Sequence, residues 1–188
     1  MTKLIILDRD GVINYESIEY VKSPEEWIPI PGSLEAIAKL NQAGYRVAIA
    51  TNQSGIGRGL YDIIALNRIH QKMETELAKV KGSISGIFFC PHSPHDLCQC
   101  RKPKPGLLEQ IANTYKVDFK KTQTFFIGDS LRDLEVADLV GCKPILILTG
   151  FGKKTRDELP EKFKDVPIYA DLPSAVNALI NNHVNAHP

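Results

Sequence analysis

The sequence predicts an α/β domain on a mostly parallel sheet, of the three-layer α/β/α, Rossmann-like kind. Three observations predict it. Short continuous apolar runs alternate with segments of helical period along the 188 residues, and buried parallel strands joined by helical crossovers read that way. Glycine or proline marks most of the junctions. With 43% hydrophobic and 24% charged residues, the composition is globular and excludes disorder, collagen and coiled coil. The length suits a single domain over residues 1–188, without room for a second large one.

The elements follow in order. Residues 3–7 (KLIIL) are a short apolar strand. Pro31-Gly32-Ser33 leads into a helix with Leu34, Ile37 and Leu40 at three-residue spacing, and Gly44 ends it. Residues 45–50 form the second strand. A longer helix over residues 62–79 carries Ile63, Leu66, Ile69, Met73 and Leu77 on one face. Residues 84–89 are β-rich, and Pro105 opens a helix over residues 107–115. A strand at 124–127, a helix at 131–140, a buried strand at 144–148, a short edge strand at 168–170 and a helix at 172–180 complete the order. The polar tail, residues 181–188, is expected to fray. Residues 14–31 and 90–103 show no period; irregular stretches of more than about 12 residues are usually functional. Both leave the carboxyl ends of strands, where open α/β sheets bind ligands.

Charge and targeting signals narrow the function class. Lys and Arg number 23 against 22 Asp and Glu, a net charge of +1 that gives no basic excess for nucleic acid. No apolar run approaches the ~20 residues of a membrane span, and the chain enters a strand at once rather than showing a signal-peptide layout. Four cysteines are too few for a disulfide scaffold. A soluble, cytoplasmic monomer with no nucleic-acid or membrane partner is expected.

Chemistry concentrates at strand ends. The first strand ends Asp8-Arg9-Asp10-Gly11; residues two apart share a face, so two carboxylates meet at one tip, which is costly unless a cation binds them or one keeps a proton. Gly11 allows the sharp exit that presents both. The second strand ends Thr51-Asn52-Gln53-Ser54-Gly55, a hydroxyl followed by backbone N–H groups that can cradle phosphate. Arg101-Lys102-Pro103-Lys104 places three cations in four residues. The strand at 124–127 is followed by Gly128-Asp129-Ser130, with Asp133 one turn on. Each motif alone also suits a polar turn, and Asp129 alone suits a helix N-cap.

The cysteines are a second signal. Cys90-Pro91-His92 and Cys98-Gln99-Cys100 offer three thiols and one imidazole, a full tetrahedral set for Zn²⁺. His95 is the alternative nitrogen, and a labile disulfide is the alternative fate of the thiols. A closed set leaves no open position, so such a zinc is structural and stiffens residues 90–103. Cys142 reads as a small packed residue.

Taken together, an acidic pair on the first strand, a hydroxyl on the second, a lysine before a helix and an acid on the fourth long strand, in that order, resemble the haloacid dehalogenase superfamily of phosphotransferases. Its four motifs are matched by Asp8/Asp10, Thr51, Lys102 and Asp129/Asp133. The resemblance implies that Asp8 is a nucleophile that becomes an aspartyl phosphate, and that Asp10 protonates the leaving oxygen and then activates water. It implies Mg²⁺ held by Asp8, the Asp10 carbonyl and Asp129, a choice that oxygen-only ligands favour. Thr51 and Lys102 then hold the phosphoryl group, with Asp133 in support. The CPH…CxCRKPxPG loop, the segment Tyr20 to Trp27 and the run Thr51 to Gly59 are similar to the heptose bisphosphate phosphatases and the related histidinol-phosphate phosphatases.

That similarity implies removal of the 7-phosphate from D-glycero-D-manno-heptose 1,7-bisphosphate, in lipopolysaccharide core or related heptose synthesis. Arg101, Asn52, Gln53, Ser54 and the loop Glu16, Ser17, Ile18 and Glu19 are then expected at the sugar phosphate. Ser130 stands where some members carry a lysine. A histidinol-phosphate phosphatase is the rival enzyme. A receiver-type phosphoaccepting domain is the rival of another class, but such domains are nearer two-thirds of this length and carry their acceptor aspartate on a later strand.

Overall fold

The structure is a computed structural model that describes residues 3–184. Six strands, β1 (Leu4–Leu7), β2 (Arg46–Asn52), β3 (Gly86–Cys90), β4 (Phe125–Gly128), β5 (Lys143–Ile147) and β6 (Ile168–Tyr169), form one sheet in the order β3-β2-β1-β4-β5-β6. Every pairing is parallel, so each connection crosses a face. The helices are α1 (Ser33–Gln42), α2 (Ser54–Gly57), α3 (Ile63–Lys79), α4 (Gly106–Tyr115), α5 (Leu131–Val140), α6 (Gly152–Asp157) and α7 (Leu172–Val184).

The alternation of the strands builds the three layers. Ile5, Leu7, Val47 and Ile49 point to one face and pack with Ile37 and Leu40 of α1, Ile69 and Met73 of α3 and Val176 of α7. Leu4, Ile6, Ala48 and Ala50 point to the other, against Leu107, Leu108 and Ile111 of α4 and Val136 and Ala137 of α5. Buried apolar surface on both faces, at about 25 cal/mol per Å², is what holds a parallel sheet together. Cys142 packs in the second of these cores.

Register places the site. Leu7 lies opposite Ile49 of β2 and Ile127 of β4. Asp8, Thr51 and Asp129 therefore leave their strands within a residue of one level, beside the point where the strand order reverses about β1. That is where an open α/β sheet leaves a crevice.

Several expectations change in detail. The strand β2 runs to Asn52, two residues beyond its expected end, and β3 includes Cys90. Residues 181–184 are helical, since no glycine or proline interrupts α7 there; the last four residues of the expected frayed tail lie outside the described residues. The short α2 and α6, and 3₁₀ turns at Pro94–Asp96 and Glu161–Phe163, are too brief to show a period in sequence. Residues 14–31 are a packed strap rather than an open loop. Tyr15 N–H donates to the Ile28 carbonyl at 3.0 Å and Ile30 N–H to that of Ile13 at 2.9 Å, while Val21, Trp27 and Ile30 are buried. Among the described residues no helix is long and apolar enough to cross a membrane.

Candidate active site

Asp8 leaves β1 with its main-chain N–H on the Ile127 carbonyl, 3.1 Å, which fixes it between β1 and β4. Its Oδ1 accepts the Arg9 N–H at 2.7 Å, and its Oδ2 lies 2.8 Å from Lys102 Nζ. Lys102 is buried and also reaches Asp133 Oδ1 at 2.6 Å. Asn52 pins the lysine from behind: its amide donates to the Lys102 carbonyl and accepts the Lys102 N–H, at 3.1 and 3.0 Å. Burial disfavours the Lys102 charge, but Asp133 and Asp8 outweigh it and raise its pKa. The ammonium thus stays charged beside Asp8.

Asp129 completes the acidic side. It is not the N-cap of α5; Ser130 is, in a capping box with Asp133, whose Oδ2 accepts from Ser130 N–H and Oγ at 3.1 and 2.6 Å. Asp133 is therefore committed to Lys102 and Ser130, and Asp129 is left facing Asp8. Only glycine fits around it: a Cβ on Gly11 (φ 77°) or Gly150 (φ 53°) would stand 2.0 Å from Asp129 Oδ2. Phe151 N–H donates to the same oxygen at 2.8 Å.

Carboxylate oxygens of Asp8, Asp129 and Asp133 all lie within 4.8 Å of one another. Three carboxylates thus face one ammonium. Burial pushes Asp8 up, Lys102 opposes that and Asp133 adds to it, leaving it at about 6. Burial, then Asp133 and Asp8, raise Asp129 well above the ordinary carboxylate range. This imbalance suits a divalent cation, and a set of oxygen donors suits Mg²⁺; Asp8 and Asp129 are the side chains with a free approach.

Asp10 lines the same cavity as Asp8 but does not stand against it as a bare like charge. Its carboxylate takes a guanidinium of its own, from Arg9, at 2.8 Å. Asn14 Nδ2 donates to Oδ1 and Gln53 Nε2 to Oδ2, both at 2.8 Å. Burial would raise the Asp10 carboxyl, but Arg9 and these hydrogen bonds outweigh it and hold it below its ordinary value.

The cavity measures about 470 Å³, within the range of small-molecule sites. Asp8, Asp10, Thr51, Lys102 and Asp129 line it, and so do Glu16, Ser17, Ile18, Asn52, Gln53, Ser54 and Arg101. Two expected substrate contacts are engaged elsewhere. Asn52 holds the Lys102 backbone at both ends of its amide, and Gln53 is committed to Arg9, Asp10, Thr51 and Tyr61. Glu19 is exposed and lies outside the lining, where Tyr20 and Val21 stand instead. Lys104 turns away to the Cys98 carbonyl at 2.7 Å and does not face the acids.

The four zinc candidates come together beside this cavity. Cys90 Sγ lies 3.6 Å from Cys98 Sγ and 3.2 Å from Cys100 Sγ; His92 Nδ1 lies 3.5 Å from Cys90 and 3.2 Å from Cys100. Tetrahedral zinc with Zn–S near 2.3 Å sets its sulfurs about 3.8 Å apart, whereas a disulfide needs about 2.05 Å. The spacing suits the ion, and all four cysteines are free thiols. His95, on the 3₁₀ turn, is exposed and is not part of the cluster.

Known proteins resemble this chain in sequence and fold. Residues 99–175 match the HAD-hydrolase-like family model. A D-glycero-β-D-manno-heptose-1,7-bisphosphate 7-phosphatase of Pseudomonas aeruginosa is 50% identical over 178 residues, 94% of this chain and 97% of the relative. The chain belongs to the family of these heptose-1,7-bisphosphate 7-phosphatases. It is a phosphatase of the haloacid dehalogenase superfamily. The D,D-heptose 1,7-bisphosphate phosphatase of Bordetella bronchiseptica, solved with magnesium and phosphate, superposes with a TM-score of 0.91 at 50% identity, covering 96% of this chain and 99% of that one. The enzyme of Burkholderia thailandensis gives 0.74 at 43%, over 95% and 99%.

The phosphatase also holds site residues that sequence reasoning missed. Arg58, Arg132 and Phe151 line the cavity. Thr149 Oγ1 donates to the Gly11 carbonyl and Thr155 Oγ1 to that of Asp129, at 2.6 and 2.8 Å, and so tie the loop after β5 to the acidic centre. Arg9, His70 and Tyr61 lie behind Asp10. Only Arg9 carried a signal, as the charge between the two acids.

Proposed function

We propose that this phosphatase removes the 7-phosphate of D-glycero-β-D-manno-heptose 1,7-bisphosphate, with Asp8 as nucleophile and Asp10 as acid and base. The observation that carries the reading is Lys102, buried and charged between Asp8 and Asp133 at the floor of a cavity lined by arginines. An aspartate attacking a phosphate dianion meets about 4 kcal/mol per unit pair at ~4 Å and an effective dielectric of about 20. A lysine at the same centre offsets a term of that size, and a neutral hydrogen bond does not.

In the first half, Asp8 Oδ forms a bond to phosphorus as the bond to the sugar oxygen breaks, and the Asp10 proton goes to that oxygen. In the second, Asp10 takes a proton from water as the water oxygen bonds to phosphorus and the bond from phosphorus to Asp8 Oδ breaks, which returns the carboxylate. The phosphoryl group docking beside Asp10 opposes Arg9 and raises its proton affinity, as the acid half requires. Thr51 Oγ1 accepts from Gln53, which leaves its O–H to donate to the phosphoryl oxygens along with Lys102. Asp8, the Asp10 carbonyl and Asp129 would hold Mg²⁺, which would neutralise phosphoryl charge there.

A second phosphate accounts for the arginines. Arg58, Arg101 and Arg132 line the cavity, and none has a carboxylate within ion-pair distance among the described residues. Burial, then the neighbouring Arg132, lowers the proton affinity of Arg101. Neighbouring guanidiniums on one cavity wall without an acid suit an anion, and a bisphosphate brings one. Structural Zn²⁺ on Cys90, His92, Cys98 and Cys100 would hold the segment that carries Arg101; a cytoplasm that keeps thiols reduced suits it. Steady-state comparison of the heptose bisphosphate with histidinol phosphate tests the assignment. The bisphosphate is expected to lead by at least 100-fold in kcat/KM, and a preference for histidinol phosphate rejects it.

A further inference from the structure

Asp10 is held from behind by residues that line no part of the cavity. Arg9 is fully buried. Its Nε and Nη2 donate to Asp10 Oδ1 at 3.1 and 2.8 Å, and Nη2 also reaches Oδ2 at 3.0 Å and Gln53 Oε1 at 3.1 Å. Its Nη1 is 3.3 Å from Nε2 of His70, a buried residue of α3. A guanidinium has only donors, so His70 Nε2 must accept, and the ring is neutral with its proton on Nδ1. Burial, then the Arg9 charge, holds the His70 pKa down to about 3, in keeping with that tautomer. A second arm comes from Tyr61, whose O–H donates at 2.6 Å to Gln53 Oε1 while Gln53 Nε2 holds Asp10 Oδ2. None of Arg9, His70 and Tyr61 lines the cavity.

We infer that Arg9 and His70 are positioning residues for Asp10: the imidazole acceptor on α3 aims the guanidinium, and the guanidinium aims the carboxylate at the leaving oxygen. The inference rests on Asp10 being the acid of the proposed reaction. A free carboxylate rotates about two torsions, and the proton must pass within about 2.6–3.2 Å of the sugar oxygen, so a rotation of the side chain removes the acid without unfolding anything. Among the described residues, His70 has no hydrogen bond to an acid and does not line the cavity; besides Arg9 its ring meets only that of Phe89, 6.2 Å between centroids, an apolar contact that a leucine can keep.

The test uses leaving groups. kcat/KM covers the steps up to phosphoryl transfer to Asp8; a sugar oxygen needs a proton to depart, and p-nitrophenolate does not. The ratio of kcat/KM for the heptose bisphosphate to that for p-nitrophenyl phosphate therefore reports the acid. Asp10→Asn is expected to lower the ratio by about 100-fold or more, the scale of general acid catalysis. His70→Leu, which deletes the acceptor, is expected to lower it about tenfold, and His70→Gln, which can present an amide oxygen to Arg9, to restore most of it. Should His70→Leu not fold, His70→Asn, which draws the acceptor back from Arg9, carries the same comparison. A ratio unchanged in the His70 variants while Asp10→Asn lowers it overturns the inference. A ratio unchanged in Asp10→Asn overturns instead the reading of Asp10 as acid.

Discussion

Two regions of the molecule gather side chains that could hold a cation, and they do it in opposite ways. The strand-tip crevice draws Asp8 and Asp129, with Lys102 and Asp133 beside them, from three stretches of the chain; the register of β1, β2 and β4 sets the acids, and Asn52 at the end of β2 holds Lys102. The end of β3 and the segment after it draw Cys90, His92, Cys98 and Cys100 from eleven residues with little further secondary structure. The first is stabilised by the sheet and the cores on its two faces, keeps oxygen donors and stays open to a cavity. The second offers a closed set of soft donors and would take its rigidity from an ion. A site for turnover needs an open position on a scaffold that stands without the metal, and a structural site needs neither.

The two meet at Arg101 and Lys102, adjacent residues that face different jobs. Arg101 donates to the His92 carbonyl at 3.5 Å, within the zinc segment, while Lys102 is buried among the acids. Disturbing each region in turn should therefore separate chemistry from positioning. The largest effect is expected from Asp8→Asn, which removes the nucleophile: kcat should fall by about 10⁴-fold or more, with the folded spectrum and zinc content retained by circular dichroism and metal analysis. Measurable residual turnover near wild type would place the nucleophile elsewhere.

Next comes the junction. Arg101→Ala removes a charge-assisted contact of about 1.5–3 kcal/mol, or roughly 10–100-fold in kcat/KM for the bisphosphate, and p-nitrophenyl phosphate should change less than threefold. Equal losses on both substrates would mean that Arg101 serves the transferring phosphoryl group instead. Cys98→Ser tests the soft site. Zinc per chain should drop, and KM for the bisphosphate should rise roughly tenfold, about 1.4 kcal/mol of positioning, with kcat on the aryl phosphate largely kept. Unchanged zinc content would dismiss the cluster.

The smallest effect concerns pH. Burial, and then Asp10 and Asp8, raise Glu16 to about 7, as Asp8 is raised to about 6. Folded carboxyls raised above their unfolded values bind more protons than the unfolded chain, so stability falls as pH rises from about 4 to 7. The melting temperature of metal-free protein should decline across that window by a few degrees, and added Mg²⁺ should restore more at pH 7 than at pH 5. A melting temperature that climbs through the window contradicts these shifts.

What the sequence revealed depended on how local each cause was. Asp8, Thr51 and Asp129 were legible because each stands at the end of an apolar run, and parallel register does the rest; Lys102 was legible as one of three cations gathered just before α4. The zinc set was legible because soft donors crowded into eleven residues have few other uses. Asn52 and Gln53 line the cavity, but their partners were not legible: their amides close on Lys102, Arg9 and Asp10, contacts 43 to 50 residues away that no local pattern encodes. His70 reads in sequence as one residue on the apolar face of α3, and only the folded position of Arg9 makes it an acceptor. Residues 14–31 lacked a period because short bridges, not a strand or helix, shape the strap.

The most direct test of the account is which phosphate leaves. Phosphorus NMR of the purified enzyme with Mg²⁺ and D-glycero-β-D-manno-heptose 1,7-bisphosphate resolves the anomeric phosphate from the primary one. The account predicts that the C7 resonance is replaced by inorganic phosphate while the anomeric resonance persists. Loss of the anomeric phosphate first, or no release from either position, would contradict it.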